Sequence, residues 1–237
     1  MRKLSLAAVL LALGISLACV SCAGVPKRGN GSMVTLERTV PTFERLRLNG
    51  SARVNYHSSQ EYRVIVTVDS NLEEYLDIYT QNKVLNIGTK KGSYSFTEYI
   101  VDVYCPSLSG VSISGSGRFT GQDKIECESF TANISGSGDI NCHITTNSLN
   151  VGISGSGDIE VAGSSKDLNM TISGSGNFMG NELSANTADI RISGSGKVQV
   201  WVLEYLKASF SGAGSIRYRG NPKIEFKGSG SGRITSA

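Results

Sequence analysis

The chain has 237 residues, with 23 Lys and Arg against 20 Asp and Glu, and with 28 Gly but only 4 Pro. This length allows one large domain or two small ones with a real core. The near balance of charge argues against nucleic-acid binding. Glycine well above its usual ~7% with so little proline excludes collagen and Pro-rich linkers and favours a turn-dense β-repeat.

The amino-terminal segment has the composition of an export signal. Two basic residues precede an apolar run over residues 4–18, which is too short to span a bilayer comfortably and suits a signal-peptide core. The run ends at Cys19 and Cys22, each preceded by small residues, in a pattern that resembles a bacterial lipobox. We predict a lipoprotein signal over residues 1–22 with Cys22 acylated, because the polar segment starts directly after it. Cys19 is the alternative, and an ordinary cleaved signal with two unmodified cysteines is the third option.

The next two segments differ in their patterning. Residues 23–33 contain Gly, Pro and Ser without apolar periodicity and predict a flexible tether. Residues 34–106 predict an irregular, strand-rich cap that hides the end of the structure after it. Its predicted elements are a strand over residues 62–68, a helical turn over 71–75, a hairpin around Gln81-Asn82 and a strand over 100–104.

One short motif recurs through residues 107–237. Its first copy, Ile-Ser-Gly-Ser-Gly-Arg-Phe, occupies residues 113–119, and seven copies follow one another at steps of 18 to 21 residues. A degenerate further copy lies at residues 48–54. Apolar residues alternate on both sides of each copy, as in Leu149, Val151 and Ile153, which is the period of a strand with one buried face.

These patterns predict an all-β chain whose repeat forms a parallel β-helix, or β-solenoid, of about 19-residue coils, continuous with the cap. One coil cannot bury its own apolar face, but coils stacked at ~4.8 Å share a continuous core. We expect each coil to contain a strand, a tight Ser-Gly-Ser-Gly corner, a second strand and a looser return. The corner glycines supply positive φ angles and room for close stacking.

The tandem Ile-Ser-Gly-Ser-Gly-x-apolar copies, after a strand-rich lead and a lipobox-like signal, resemble the head GIN domain family. That family is described as "putative auto-transporter adhesin" and is common among envelope lipoproteins of Bacteroidetes. The resemblance covers roughly residues 40–235. It implies an adhesin-like binding module in the cell envelope and brings no active-site residues with it.

The residue after each corner varies from copy to copy, and stacking would align these residues in one exposed row. We call this set the corner row: Arg118, Asp139, Asp158, Asn177, Lys197, Ser215 and Arg233. Asp139 and Asp158 would be neighbours on adjacent coils, with ~4.8 Å between their backbones. Such a pair fits the two carboxylates of a retaining glycosidase or a calcium site. It also fits two solvated carboxylates whose mutual repulsion is reduced by Arg118 and Lys197. We expect the last, and therefore no catalytic residue, metal or cofactor.

The remaining candidate residues give weaker signals. Cys105 and Cys127 occupy matching places, so either a disulfide on adjacent coils or two unpaired thiols is expected. Cys142 aligns with apolar positions of later coils and is expected in the core. His57 and His143, the only histidines, are far apart in sequence and predict no zinc or catalytic cluster.

The sequence favours a non-enzymatic outer-membrane lipoprotein that faces the periplasm and binds a glycan or protein along a solenoid face. The periplasmic side is preferred because no acidic run follows Cys22. A structural or assembly role in the envelope is the second hypothesis. A polysaccharide lyase or glycoside hydrolase is the third, but the repeat contains one Trp, Trp201, and few other aromatic candidates for a substrate groove. The sequence assigns no oligomeric state.

Overall fold

The structure is a computed structural model that describes residues 25–237. The predicted signal, with Cys19 and Cys22, lies outside the described residues. The predicted fold class is confirmed: a nearly all-β chain forms a β-solenoid of about 7 turns, with parallel bridges about 19 residues apart. Within the described residues, no helix has the length and apolar character of a membrane-spanning segment.

The segment from Lys27 to the end of the cap contains nine strands and one short helix. They are β1 (Lys27–Arg28), β2 (Met33–Thr39), β3 (Arg45–Gly50), β4 (Arg53–Ser58), β5 (Arg63–Asp69), the 3-10 turn Glu73–Tyr75, β6 (Leu76–Gln81), β7 (Val84–Thr89), β8 (Tyr94–Ser95) and β9 (Tyr99–Cys105). The predicted helical turn is present, and so is the predicted hairpin, because β6 and β7 pair antiparallel around Asn82 and Lys83.

The repeat contains ten further strands. They are β10 (Gly110–Gly115), β11 (Arg118–Gly121), β12 (Ile125–Gly136), β13 (Asp139–Gly155), β14 (Asp158–Gly174), β15 (Asn177–Gly194), β16 (Lys197–Gly212), β17 (Ser215–Arg219), β18 (Lys223–Gly230) and β19 (Arg233–Ser236). All of their pairings with one another are parallel.

The cap begins on the solenoid path and then departs from it. β3 and β4 stack parallel on β10 and β11, so the degenerate copy at residues 48–54 is a true coil. β7 and β9 add one more parallel layer on β3 and β4. Beyond that layer the direction reverses, because β5 runs antiparallel to β9 and β2 runs antiparallel to β5. These antiparallel strands cover the amino-terminal end of the core.

Four coils run as single bent strands of 16 to 18 residues from one corner to the next, β13 to β16. The looser return expected in each coil is found where β14 pairs with β15 and where β15 pairs with β16, because the register shifts there, whereas β13 pairs with β14 without such a shift. Small polar residues satisfy backbone carbonyl groups at the bends. The hydroxyl of Thr146 donates to the carbonyl of Ser148 at 3.1 Å, and that of Ser165 donates to the carbonyl of Asp167 at 2.8 Å.

The Ser-Gly-Ser-Gly corners stack directly on one another. The backbone N–H of Ser156 donates to the carbonyl oxygen of Gly136 at 2.9 Å, and the same bond joins Ser175 to Gly155 one coil later. Gly155 has a φ of 129°, and a Cβ on it would collide with the carbonyl oxygen of Gly136. Glycine is required at this corner for its conformation and for the close approach of the neighbouring coil.

The cysteines lie in or beside the core. Among the described residues, Cys105, Cys127 and Cys142 are all unpaired, so the disulfide option is wrong. In the strand pairing, Cys105 lies opposite Ser58 and Cys127 opposite Thr146. Cys142 is a core residue as expected, and burial raises the pKa of its thiol to about 12. A thiol with so high a pKa stays protonated and unreactive at neutral pH.

A buried carboxylate fastens the amino-terminal segment to the cap. Asp69 accepts hydrogen bonds from the backbone N–H of Gly31 and of Thr97, both at 2.8 Å. Beside it, β1 pairs with β8, and the ammonium of Lys27 lies 3.8 Å from the ring centroid of Tyr75. We call this arrangement the Asp69 clasp. Residues 23–33 were predicted as a flexible tether, but from Lys27 onward these contacts hold them against the cap.

Candidate functional site

The parallel register places the whole corner row on one face of the solenoid, one residue per coil. Arg118 lies opposite Asp139, Asp139 opposite Asp158, Asp158 opposite Asn177, Asn177 opposite Lys197, Lys197 opposite Ser215, and Ser215 opposite Arg233. Arg53 of the degenerate coil extends the row beyond Arg118. The seven residues predicted from the sequence are therefore brought together along one line.

Hydrogen bonds link the acidic part of the corner row to its neighbours. A guanidinium nitrogen of Arg118 lies 2.8 Å from a carboxylate oxygen of Asp139. On the next coil, Asp158 accepts from the side-chain amide of Asn177 at 2.8 Å and from its backbone N–H at 3.1 Å. The carboxylate of Asp158 is thus stabilised by hydrogen bonds from Asn177. The prediction that Lys197 neutralises this carboxylate is wrong. Lys197 contributes its backbone N–H, which donates to Asn177 at 3.3 Å.

A second outward-facing row runs beside the corner row, two residues further along each strand. Its members are Thr120, Asn141, Glu160, Met179, Gln199 and Arg217. The side-chain amide of Asn141 donates to Glu160 at 2.9 Å. Sequence reasoning missed this row, although the two-residue period that buries Ile140 and Ile159 also turns Asn141 and Glu160 outward.

The two rows line a shallow groove of about 340 Å³, whose polar lining residues are Arg118, Thr120, Asp139, Asn141, Asp158 and Glu160. Charge changes sign along this face. Asp139, Asp158 and Glu160 lie in its middle coils, whereas Lys197, Arg217 and Arg233 belong to later coils. The surface therefore offers carboxylates and amides on the middle coils and cations on the later coils. The parallel strand pairing holds the backbone beneath them in place.

Two further grooves lie on the other faces. One of about 380 Å³ follows the strands before the corners and is lined mainly by short side chains, including Asn49, Ser114, Asn133, Ser135 and Ser173. The other, of about 600 Å³, lies on the return and is lined by Glu126, Glu128, Asn147, Lys166 and Asn186, among others. All three grooves are open, so none encloses a small ligand.

The two histidines lie on different parts of the fold. Across residues 25–237, no group of three or more His, Cys, Asp or Glu side chains could hold a metal ion. His57 lies on the cap, where its Nε2 is 3.4 Å from Asp102 and its ring stacks on Tyr104 at 4.8 Å between centroids. His143 is exposed on β13, on a different part of the chain.

The sequence profile described as "Putative auto-transporter adhesin, head GIN domain" matches residues 42–222, which include most of the cap, from β3 to β9, and nearly all corners. The chain belongs to the head GIN domain family. Its family description is that of an adhesin, a class of cell-surface or envelope protein, and it points to binding rather than to catalysis. A comparison with curated proteins finds no match.

Several solved structures resemble this head GIN domain. A "putative adhesin" from Bacteroides fragilis has a TM-score of 0.85 at 21% identity, over 90% of this chain and 100% of that one, and shows the fold alone. A "putative lipid binding protein" from Parabacteroides distasonis has a TM-score of 0.76 at 26% identity, over 90% and 100% of the two chains. A "putative adhesin" from the same species has a TM-score of 0.72 at 25% identity, with the same coverage.

Proposed function

We propose that this head GIN domain protein is a non-enzymatic, lipid-anchored envelope module that binds a glycan or protein ligand along the face carrying the corner row. One observation carries the proposal. The buried residues and the corners repeat from coil to coil, whereas the seven positions of the corner row hold five different residue types: Arg, Asp, Asn, Lys and Ser. Side chains that vary on a repeated frame are free to be specific for a ligand.

The chemistry of the face suits an extended polar ligand. Asp139, Asn141, Asp158 and Glu160 present hydrogen-bonding groups on two successive coils, at the ~4.8 Å spacing of parallel strands. A polysaccharide or an extended peptide carries polar groups in series and can engage several coils at once. Because the corner hydrogen bonds already fix the backbone, binding requires little ordering of the protein.

Two features favour binding over catalysis. Asp139 and Asp158 each have a hydrogen-bond partner of their own, so neither is poised as the unpaired acid or base that a glycosidase requires. The groove beside them is open to solvent, whereas catalytic carboxylates work in sites that exclude water and hold the substrate in place.

The anchor and the location belong to the same proposal. Cys22 would carry the lipid, with Cys19 as the alternative, and the protein would sit at the outer membrane and face the periplasm. Family membership supports an envelope location, and the lipobox-like sequence before Cys22 supports the anchor.

The experiment is a binding screen of residues 25–237 on a glycan array and on a panel of purified extracellular proteins. The test variant is Asp139→Ala with Asn177→Ala on the corner row, and the matched control is Asn133→Ala with Thr171→Ala on the face before the corner. We expect a ligand whose affinity falls at least tenfold in the test variant and less than twofold in the control. Equal losses in both, or no ligand on either panel, would reject this binding face, and the second result would favour an assembly role.

A further inference from the structure

The two ends of the solenoid differ: antiparallel strands cover the amino-terminal end, whereas the carboxyl-terminal coil is uncovered. β18 pairs with β16 along one edge, and within residues 25–237 no strand pairs with its other edge. Its core-facing Ile224 and Phe226 are 38% and 46% exposed, whereas Leu206 and Ala208, which precede them in the stack, are at most 1% exposed. An unpaired strand edge next to exposed apolar side chains is a template for an added strand.

We propose that a second copy of this chain covers the open coil. In this dimer, β18 pairs antiparallel with β18 of the second copy, and a two-fold axis joins the two solenoids end to end. The inference is independent of the ligand proposed above, because it concerns the end of the solenoid and not the corner row.

The alternation of side chains restricts the register of such a pair. Opposed residues of an antiparallel pair lie on the same face of the sheet, so core-facing residues must meet core-facing residues. Placing Phe226 opposite Phe226 of the second copy pairs residues 223–229 of the two strands. Ile224 then lies opposite Gly228, so that a large side chain meets an empty position.

The outward-facing charges select the same register. With Phe226 on the axis, Glu225 of each copy lies opposite Lys227 of the other, which gives two pairs of opposite charge. Moving the axis to Glu225 would place Glu225 of one copy opposite Glu225 of the other, and Lys223 opposite Lys227. Moving the axis to Lys227 would place the Lys227 side chains of the two copies opposite each other. Like charges directly opposite one another destabilise a strand pair, so one long register remains.

The first test is charge reversal followed by sedimentation of residues 25–237, which contain the described core. We expect a concentration-dependent dimer of the wild-type chain. Glu225→Lys alone, or Lys227→Glu alone, should raise the dissociation constant at least tenfold, because each places like charges opposite one another twice. An equimolar mixture of the two variants should recover the dimer, because the heterodimer again opposes unlike charges.

Recovery in the mixture separates dimerisation from a role within one chain. Glu225 and Lys227 also form an ion pair within β18 at 3.2 Å, and mixing two variants cannot rebuild that pair in either chain. A wild-type chain that stays monomeric at 100 micromolar, or a mixture that stays as weak as its components, would overturn the proposal.

The second test reads the register directly and does not depend on the charge variants. In a Cys127→Ser background, the Phe226→Cys variant should cross-link to itself with a short bismaleimide. The Ile224→Cys variant should not cross-link to itself, but should cross-link to the Gly228→Cys variant in a mixture. If the Ile224→Cys variant cross-links to itself as efficiently as the Phe226→Cys variant does, this register is wrong.

Discussion

Asp139 and Asp158 lie opposite each other on adjacent coils, yet their carboxylates bond in opposite directions along the row. Asp139 is paired with Arg118 and Asp158 with Asn177, each at 2.8 Å. The two carboxylates therefore accept hydrogen bonds from different partners, on opposite sides of the pair. This arrangement leads to the first prediction.

Replacing both carboxylates, Asp139→Asn with Asp158→Asn, should leave the fold intact and should remove no hydrolase or lyase activity. Both side chains are partly exposed, and amides can keep part of the same bonding, so the melting temperature should change by no more than a few degrees. Reducing ends and unsaturated-uronate absorbance would be followed on a polysaccharide panel, with and without calcium. Reproducible turnover by the wild-type protein that the double variant loses would establish an enzyme instead.

A side chain at a corner glycine should destabilise the solenoid. Gly155→Ala combines a positive φ with a collision against the backbone of the previous coil, so it should cost about 2 to 4 kcal/mol of unfolding free energy. The matched control is Gly152→Ala, where the new Cβ meets only the movable side chain of Asn133. Denaturant unfolding of both variants measures the difference, and equal effects would count against the stacked-corner explanation.

The Asp69 clasp should make stability depend on pH. Burial raises the pKa of Asp69, but the hydrogen bonds from Thr97 and Gly31 outweigh it, so that the net pKa lies below the ordinary 3.8. A carboxylate with a lowered pKa in the folded state stabilises it above about pH 4, and this contribution is lost as the pH falls through the folded-state value. The stability difference between wild type and Asp69→Asn should be constant from pH 7 to 5 and shrink below pH 4.

Trypsin gives a second measurement on the clasp. Asp69→Asn should free the strand that contains Lys27 and Arg28, so cleavage there at pH 7 should become several-fold faster than in wild type. Asp77→Asn, which alters an exposed carboxylate of β6 outside the clasp, is the control and should cleave like wild type. Unchanged cleavage in Asp69→Asn would show that Asp69 does not hold this segment.

The anchor prediction is tested in the full chain. Cys22→Ala should abolish labelling by a palmitate analogue and should release the protein from the membrane fraction, because an acylated cysteine supplies the membrane affinity. Labelling that persists in this variant and disappears with Cys19→Ala would move the anchor to Cys19. Labelling that survives the loss of both cysteines would refute the lipoprotein assignment.

The repeat could be read from the sequence because each coil carries its own marker. The Ser-Gly-Ser-Gly corner fixes the register of every coil, and the register then aligns Arg118 through Arg233 without further information. Apart from the degenerate copy at residues 48–54, the cap has no such marker, since the antiparallel pairing of β2 with β5 joins segments with unrelated sequences. The partner of Asp158 was within reach of the same argument, because the register places Asn177 directly opposite Asp158 and Lys197 one coil further away.

The Asp69 clasp also sets how far this protein can stand from a membrane. If Cys22 carries the lipid, only residues 23–26 separate the bilayer surface from the fixed strand at Lys27, a leash of at most about 18 Å when fully extended. The cap must then stay close to the headgroups. With the solenoid axis along the membrane normal, each successive coil would lie ~4.8 Å farther from the bilayer, and the last described coil would be the part of the molecule farthest from the lipid.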